Sequence, residues 1–436
     1  MGNFIRSVLA ATALATVLAA NAKAADPISD WNQITEQAVK VAKRPPPVAA
    51  LDFAIVHLAI YDAVESLDHR FEPYNALVPD AAGSPSAAVA KAGRDILIWL
   101  FPMQTMTLEE AYQNYLTANG IDIADPGTAV GMQAAANMIA RRTNDGRFPI
   151  PSPPPFLGGA AIGQWRPTPS LIPGPPPTFA PVPPSEAPGL TPWVATVTPF
   201  TMQSSSQFRL GPPPALTSDQ WADDYNEVKS LGSLNSATRT PEQTDIGYFW
   251  ADSGPILWQN ALRYLARNYL RDIGDSARMY ALAEAAMADA QIACWDSKYF
   301  YVFWRPITAI RLGDQDGNPA TVVDPAWQPL INTPNFPEYP SGHADISSAA
   351  TNALRLFFGS DVLSFEMTTT NPLAVRKTRT FARFSQAEHE VVDARVYVGI
   401  HYRNSDNAAR AQGHAVANWV FRNYFLPTEE TDAPNP

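Results

Sequence analysis

Three short stretches in the second half of the chain gather the residues that could do chemistry. The first runs Lys298-Tyr-Phe-Tyr-Val-Phe-Trp-Arg305-Pro306. Read as one continuous helix, it puts both cations on the same side, roughly 10 Å apart along the axis. Two cations in such apolar text call for an anionic partner; a pair of side chains snorkelling to the surface is the alternative. The second is FPEYPSGHAD, residues 336–345. Ser341 suits a helix N-cap, Gly342 lets the backbone approach a ligand, and His343 sits in the first turn. Free N–H groups at such a start can seat an oxyanion, although an ordinary capped helix reads the same way. The third is Arg395-Val-Tyr-Val-Gly-Ile-His401. Arg395 lies late in a helix, Gly399 loosens or ends it, and His401 comes from the turn beyond. The competing reading is a surface arginine and an unrelated histidine. Together the three stretches supply three cations, a helix start and two histidines. Arginine grips tetrahedral oxyanions with two donors at once, so the set reads as a closed seat for phosphate or a phosphate-like anion. No Walker loop, dinucleotide fingerprint or H-E-x-x-H zinc pair is present.

The elements that must position these residues are helical. Apolar residues recur at helical spacing over 44–71, 86–101, 128–146, 218–232 and 254–270, and over a long stretch from about Asp275 to Trp304. Ser341–Phe358, Glu388–Ile400 and 413–425 add three more. His57 lies on the apolar face of the first of these and reads as a core residue. Residues 149–192 are dense in proline, which suits neither helix nor central strand. Phe156, Trp165, Leu171, Ile172 and Phe179 within that stretch favour an ordered loop lying over the helices rather than a mobile linker. No alternation marks a sheet, and no repeat recurs at a fixed period. The expected class is all-α, a multi-helix bundle with long Pro-rich connecting loops.

Composition bounds the partners. The 436 residues are 46% hydrophobic and only 17% charged, with 42 prolines. The first 24 residues read as a secretory signal: Arg6, an apolar run from about Ser7 to Ala20, then Ala22-Lys23-Ala24. No later stretch reads as a membrane span, so the expected product is exported, periplasmic or secreted, as a single helical domain over 25–436. Within it the expected parts are an N-terminal helical half (25–148), the Pro-rich loop (149–192) and a catalytic helical half (216–430). Losing Arg6 and Lys23 takes the formal charge from −11 to −13, a poor balance for nucleic acid. Cys294 is the only cysteine, which excludes a disulfide framework and leaves it as a core residue.

The three stretches resemble the signature of the vanadium-dependent haloperoxidase and type 2 phosphatidic acid phosphatase superfamily: K-x6-R-P, then P-S-G-H, then S-R-x5-H-x3-D. Lys298, Arg305 and Pro306 complete the first block; Pro340, Ser341, Gly342 and His343 complete the second. Arg395 and His401 keep the gap of the third, with Ala394 in place of its serine and Ser405 in place of its aspartate. Asp406, one residue later, is the candidate to orient His401. The text WNQITEQAV and HLAIYDAV is similar to the soluble, exported haloperoxidase-like branch. The resemblance implies that Lys298, Arg305, Ser341, the Gly342 N–H and Arg395 hold the oxygens of vanadate or phosphate. His401 would bond to vanadium or attack phosphorus, and His343 would be the acid–base group. In the haloperoxidase version vanadate is the cofactor, hydrogen peroxide and halide are the substrates, and Lys298 polarises the peroxide. Phe336 and Trp295 resemble halide-pocket aromatics of chloroperoxidase-type members, where bromoperoxidases tend to carry histidine in place of Phe336. The alternatives are a soluble acid phosphatase working through a phosphohistidine, with no cofactor, and an oxyanion-binding protein without turnover. Bundles of this kind often pair, so a homodimer is also expected.

Overall fold

A computed structural model describes residues 26–172, 178–180 and 188–428. The proposed leader, residues 1–24, lies outside the described residues, as do the side chains of Leu171, Ile172 and Phe179. Thirteen α-helices run through the described part. In chain order they are α1 (Pro27–Val41), α2 (Pro46–Asp68), α3 (Pro85–Leu100), α4 (Thr105–Asn119) and α5 (Gly127–Arg142). Then come α6 (Asp219–Leu231), α7 (Pro241–Phe249), α8 (Gly254–Tyr269) and α9 (Ile273–Tyr301). The last four are α10 (Pro306–Arg311), α11 (Gly342–Phe358), α12 (Phe384–Tyr397) and α13 (Arg403–Asn423). The all-α expectation holds. Two small antiparallel hairpins depart from the expectation of no strand: Ser170–Ile172 with Thr178–Ala180, and Phe365–Thr368 with Thr378–Phe381. The first lies inside the Pro-rich stretch.

The helices begin where sequence chemistry places them. Ser84, Ser218 and Asp272 each accept a bond from a first-turn N–H of α3, α6 and α9. Thr240 and Gln243 form a reciprocal capping box on α7. Helices α1, α4, α7 and α10 were not expected from spacing. They are short, or polar on most faces, so their apolar stripes are thin.

Helix α9 is the axis of the fold. Of its 29 residues 23 are buried, because α2, α11 and α13 pack around it. Alanines along α9 keep those neighbours close, and one core runs from α2 through α9 to α11 and α13. Helix α2 corrects one expectation. By length and composition it is apolar enough to cross a membrane, yet its apolar window is wholly buried inside the protein. His57, within it, is a core residue: its ring stacks on Tyr280 at 4.5 Å and its Nε2 accepts from Asn32 at 2.9 Å.

The described parts of the Pro-rich loop lie against the end of α9. Trp165 is buried, its N–H donates to Val302 at 2.7 Å, and Trp304 N–H donates to Gly163 at 3.0 Å. Further on, Leu190 N–H donates to Asn335 at 2.7 Å, while the Leu190 carbonyl accepts from Tyr299 and Trp295. The loop therefore brackets the stretch from Lys298 to Arg305 on both sides.

Candidate active site

Lys298 and Arg305 meet the site by a different route from the one their spacing implies. Helix α9 stops at Tyr301, where Val302 adopts a left-handed φ of 51°. Pro306 disfavours helical backbone in the residue before it, and Arg305 is extended, with φ −82° and ψ 154°. The two cations are thus not on one helix. The residue before Arg305 is set in an aromatic cluster: Trp221 stacks on Trp304 at 5.8 Å and meets Tyr402 at 5.0 Å. Arg305 Nε donates to the Phe336 carbonyl at 2.9 Å. Its Nη1 donates to the Ile400 carbonyl at 2.9 Å and faces His401 Nε2 at 3.2 Å. Its Nη2 is buried and has no partner among the described residues. Lys298 is fully buried and donates to the carbonyls of Pro337, Glu338 and Pro340, at 3.1 Å and 2.9 Å for the first two. Its three protons therefore clamp the turn that leads into α11.

That turn delivers the second group. Ser341 occupies the N-cap position of α11, but its hydroxyl caps no N–H of that helix and is buried. The Asp406 carboxyl lies beside it, and the Ser341 hydroxyl draws that acid down against the upward push of burial. Gly342 opens the helix against Trp295: a Cβ there would stand 3.3 Å from the indole. His343 Nε2 lies 2.9 Å from the Asp252 carbonyl. A carbonyl only accepts, so the proton is on Nε2, and Nδ1 makes no bond among the described residues. Burial, then the field of Arg395, pull His343 down to about 3.

The third group comes from α12 and the turn after it. Arg395 Nη1 donates to the Trp250 carbonyl at 2.9 Å, and its Nε is buried and unpartnered. Helix α12 ends at Tyr397, and Gly399 follows with a φ of +78°. A Cβ on Gly399 would lie 2.3 Å from the Gly232 carbonyl oxygen, so the turn is seated backbone to backbone on the end of α6. His401 then points inward. Its Nδ1 bonds Glu338 Oε1 at 2.8 Å. Burial, followed by Arg305 and Lys298, holds His401 well below the usual histidine range, so the ring is neutral. With Nδ1–H given to Glu338, the lone pair on Nε2 faces Arg305.

Asp406 does not reach His401. It is fully buried, and burial pushes its carboxyl well above the usual range. The acid that meets the histidine is Glu338, inside the FPEYPSGHAD stretch itself. Its Oε1 also accepts from Tyr402 N–H at 3.1 Å, and its Oε2 accepts from the Ser405 hydroxyl at 2.5 Å. Burial pushes Glu338 up to about 7, against the opposing pull of Arg305. Sequence spacing missed this residue. The available signal was an acid between two prolines, three residues before Ser341.

A cavity of about 340 Å³ opens onto these groups, walled by Trp295, Phe336, Leu190, His343, Arg395 and His401. The Trp295 and Phe336 rings are 4.9 Å apart, and the Arg305 guanidinium lies 4.7 Å over Phe336. The residues fit a tetrahedral oxyanion. Among the described residues, Arg305 Nη2 and Arg395 Nε are buried donors without partners, the Ser341 hydroxyl has only the Asp406 carboxyl beside it, and the first N–H groups of α11 have no intrahelical acceptor. Unpaired buried donors each cost about 1–3 kcal/mol, and an anion with several oxygens would satisfy them together.

Known proteins place this arrangement. Residues 278–427 match the family model described as the VCPO second helical-bundle domain. The vanadium chloroperoxidase of Curvularia inaequalis is 27% identical over 384 residues, covering 73% of this chain. The chain spans 62% of that relative's length. A bacterial vanadium-dependent iodoperoxidase superposes with a TM-score of 0.76 at 25% identity, over 92% of this chain and 96% of the other. The chain has the vanadium haloperoxidase fold. A holo-type bacterial vanadium-dependent chloroperoxidase shares that haloperoxidase fold at a TM-score of 0.68 and 18% identity, over 92% of this chain and 96% of the other. The resemblance drawn from the three blocks stands, and each block lies within the matched second bundle.

Proposed function

We propose that this protein is an exported vanadate-dependent haloperoxidase, which uses hydrogen peroxide to oxidise a halide. The observation that carries the reading is the set of buried, unpartnered donors around the His401 Nε2 lone pair, in a haloperoxidase fold. Arg305 Nη2, Arg395 Nε, the Ser341 hydroxyl and the Gly342 N–H would hold the oxygens of vanadate, with His401 Nε2 as the ligand to vanadium. Vanadate bound there would act as a Lewis acid that activates peroxide without changing its own oxidation state.

The chain's own groups supply the rest. Oxidation of a halide by peroxide takes up one proton and releases hypohalous acid and water. His343 Nδ1 is the group free to move that proton at the cavity wall. Arg395 is the second cause of its lowered basicity, and an anion in the cage offsets that field and raises it. Phe336 and Trp295 form an apolar wall where a weakly hydrated halide can lose water. Lys298 fixes the turn that carries Glu338 and Ser341, so its part is to place donors.

The test uses the purified mature protein with peroxide and bromide, with and without orthovanadate, beside hydrolysis of a generic phosphomonoester. Halogenation that depends on vanadate supports the reading. Phosphatase activity inhibited by vanadate, with no halogenation, replaces it with the phosphatase. Binding without either activity leaves an oxyanion-binding protein.

A further inference from the structure

Position 405 has a defined place on α13. Tyr402 is the N-cap, so Arg403, Asn404 and Ser405 are the first three helical residues. A side chain at the third is the one that reaches back to the N-cap N–H, as in a capping box. Here the N-cap directly follows His401, so an acid at 405 could take the Tyr402 N–H and stand beside His401 Nδ1. Asp406 is one residue further, about 100° around the helix. Its carboxyl faces Ser341 and Arg395 instead.

The contact that an acid at 405 would make is made from outside the helix. Glu338 Oε1 takes both the Tyr402 N–H at 3.1 Å and His401 Nδ1 at 2.8 Å, and Ser405 donates to Oε2 at 2.5 Å. Glu338 is in turn held by Lys298, which grips its carbonyl at 2.9 Å, and by its own N–H, which donates to the Phe303 carbonyl at 2.9 Å. We propose that Glu338 is the positioning residue of His401, supplying from the turn before α11 the capping and orienting contact that an acid at position 405 would supply from within α13. One carboxylate thereby fixes the His401 tautomer, caps α13 and ties the second block to the third. The proposal rests on the reading that His401 Nε2 meets the oxyanion, since that is the nitrogen it leaves bare.

The tautomer can be read without any ligand. Histidine-labelled protein is examined by long-range ¹H–¹⁵N correlation, with His401 assigned by its loss in His401→Gln. The expected result for the unmutated chain is a neutral ring with the proton on Nδ1; a proton on Nε2 overturns the proposal outright. Glu338→Gln should keep the tautomer, because its amide oxygen still accepts from Nδ1. Glu338→Ala should lose it and weaken orthovanadate binding, measured by calorimetry, by about tenfold or more. The double variant Glu338→Ala with Ser405→Asp should regain both. A Glu338→Ala protein with unchanged tautomer and affinity overturns the proposal. So does a double variant that fails to fold or folds without recovery. An unmutated chain that binds no vanadate refutes the haloperoxidase reading alone, and the tautomer still decides the role of Glu338.

Discussion

Two buried histidines, each with an arginine and an acid nearby, differ in what lies open beside them. Around His57, Asn32 donates to the ring and to Gln259 at 2.6 Å, while Arg263 donates to Asn32 at 2.5 Å. Glu284 lies fully buried nearby on α9 beside Gln259, and burial pushes it up to about 8. Around His401, the ring is gripped between Glu338 and Arg305, and the groups left over among the described residues are Arg305 Nη2, Arg395 Nε and the facing Ser341 hydroxyl and Asp406 carboxyl. The first cluster leaves the His57 Nδ1–H and a buried acid among packed helices; the second leaves arginine donors beside a cavity, with the Asp406 carboxyl behind them. Histidine, arginine and acid together do not mark a site. Whether a ligand can reach what remains unsatisfied does.

The comparison can be broken most severely at His401. His401→Ala should abolish vanadate-dependent halogenation with an unchanged far-UV circular dichroism spectrum, and retained activity would remove the proposed seat. Next comes Arg395→Met, which deletes a charge-assisted donor and should weaken orthovanadate binding roughly 10- to 100-fold in a calorimetric titration. In the other cluster, Glu284→Gln should leave halogenation unmoved and raise stability. The sign follows from the raised pKa. Between the unfolded value near 4.5 and about 8, the folded state holds more protons, so the wild type loses stability as pH rises through that window. The gain in unfolding free energy of the variant, from denaturant titrations, should therefore grow from pH 5 to pH 8, reaching roughly 2–4 kcal/mol. An equal gain at both pH values would mean that Glu284 does not titrate in this window. The smallest effect is at the cavity wall: Phe336→His should shift the chloride-to-bromide rate ratio by a few-fold, and an unchanged ratio would leave Phe336 as packing alone.

The helical class and the three blocks were legible because each depends on local text. Apolar spacing gave the long helices, and the K-x6-R-P, P-S-G-H and R-x5-H blocks brought the right side chains to one cavity. What spacing could not give was how the backbone arrives. Lys298 and Arg305 read as helical neighbours, whereas Pro306 and the left-handed Val302 break the helix between them. The role of Glu338 was hidden for a second reason. It contacts His401 across 63 residues of chain, and no periodicity reports a contact of that range. Asp406 drew attention by proximity in sequence, but one step along a helix turns a side chain to another face.

The seating of Gly399 on Gly232 bears on how this chain tolerates change. A Cβ on Gly399 would strike the Gly232 carbonyl, and one on Gly232 would come within 2.4 Å of the Gly399 Cα. Neither glycine touches the cavity, yet any side chain at either pushes the turn that aims His401. In a saturation library selected for halogenation, both positions should therefore resist every substitution, as an epistatic pair far from the reacting atoms.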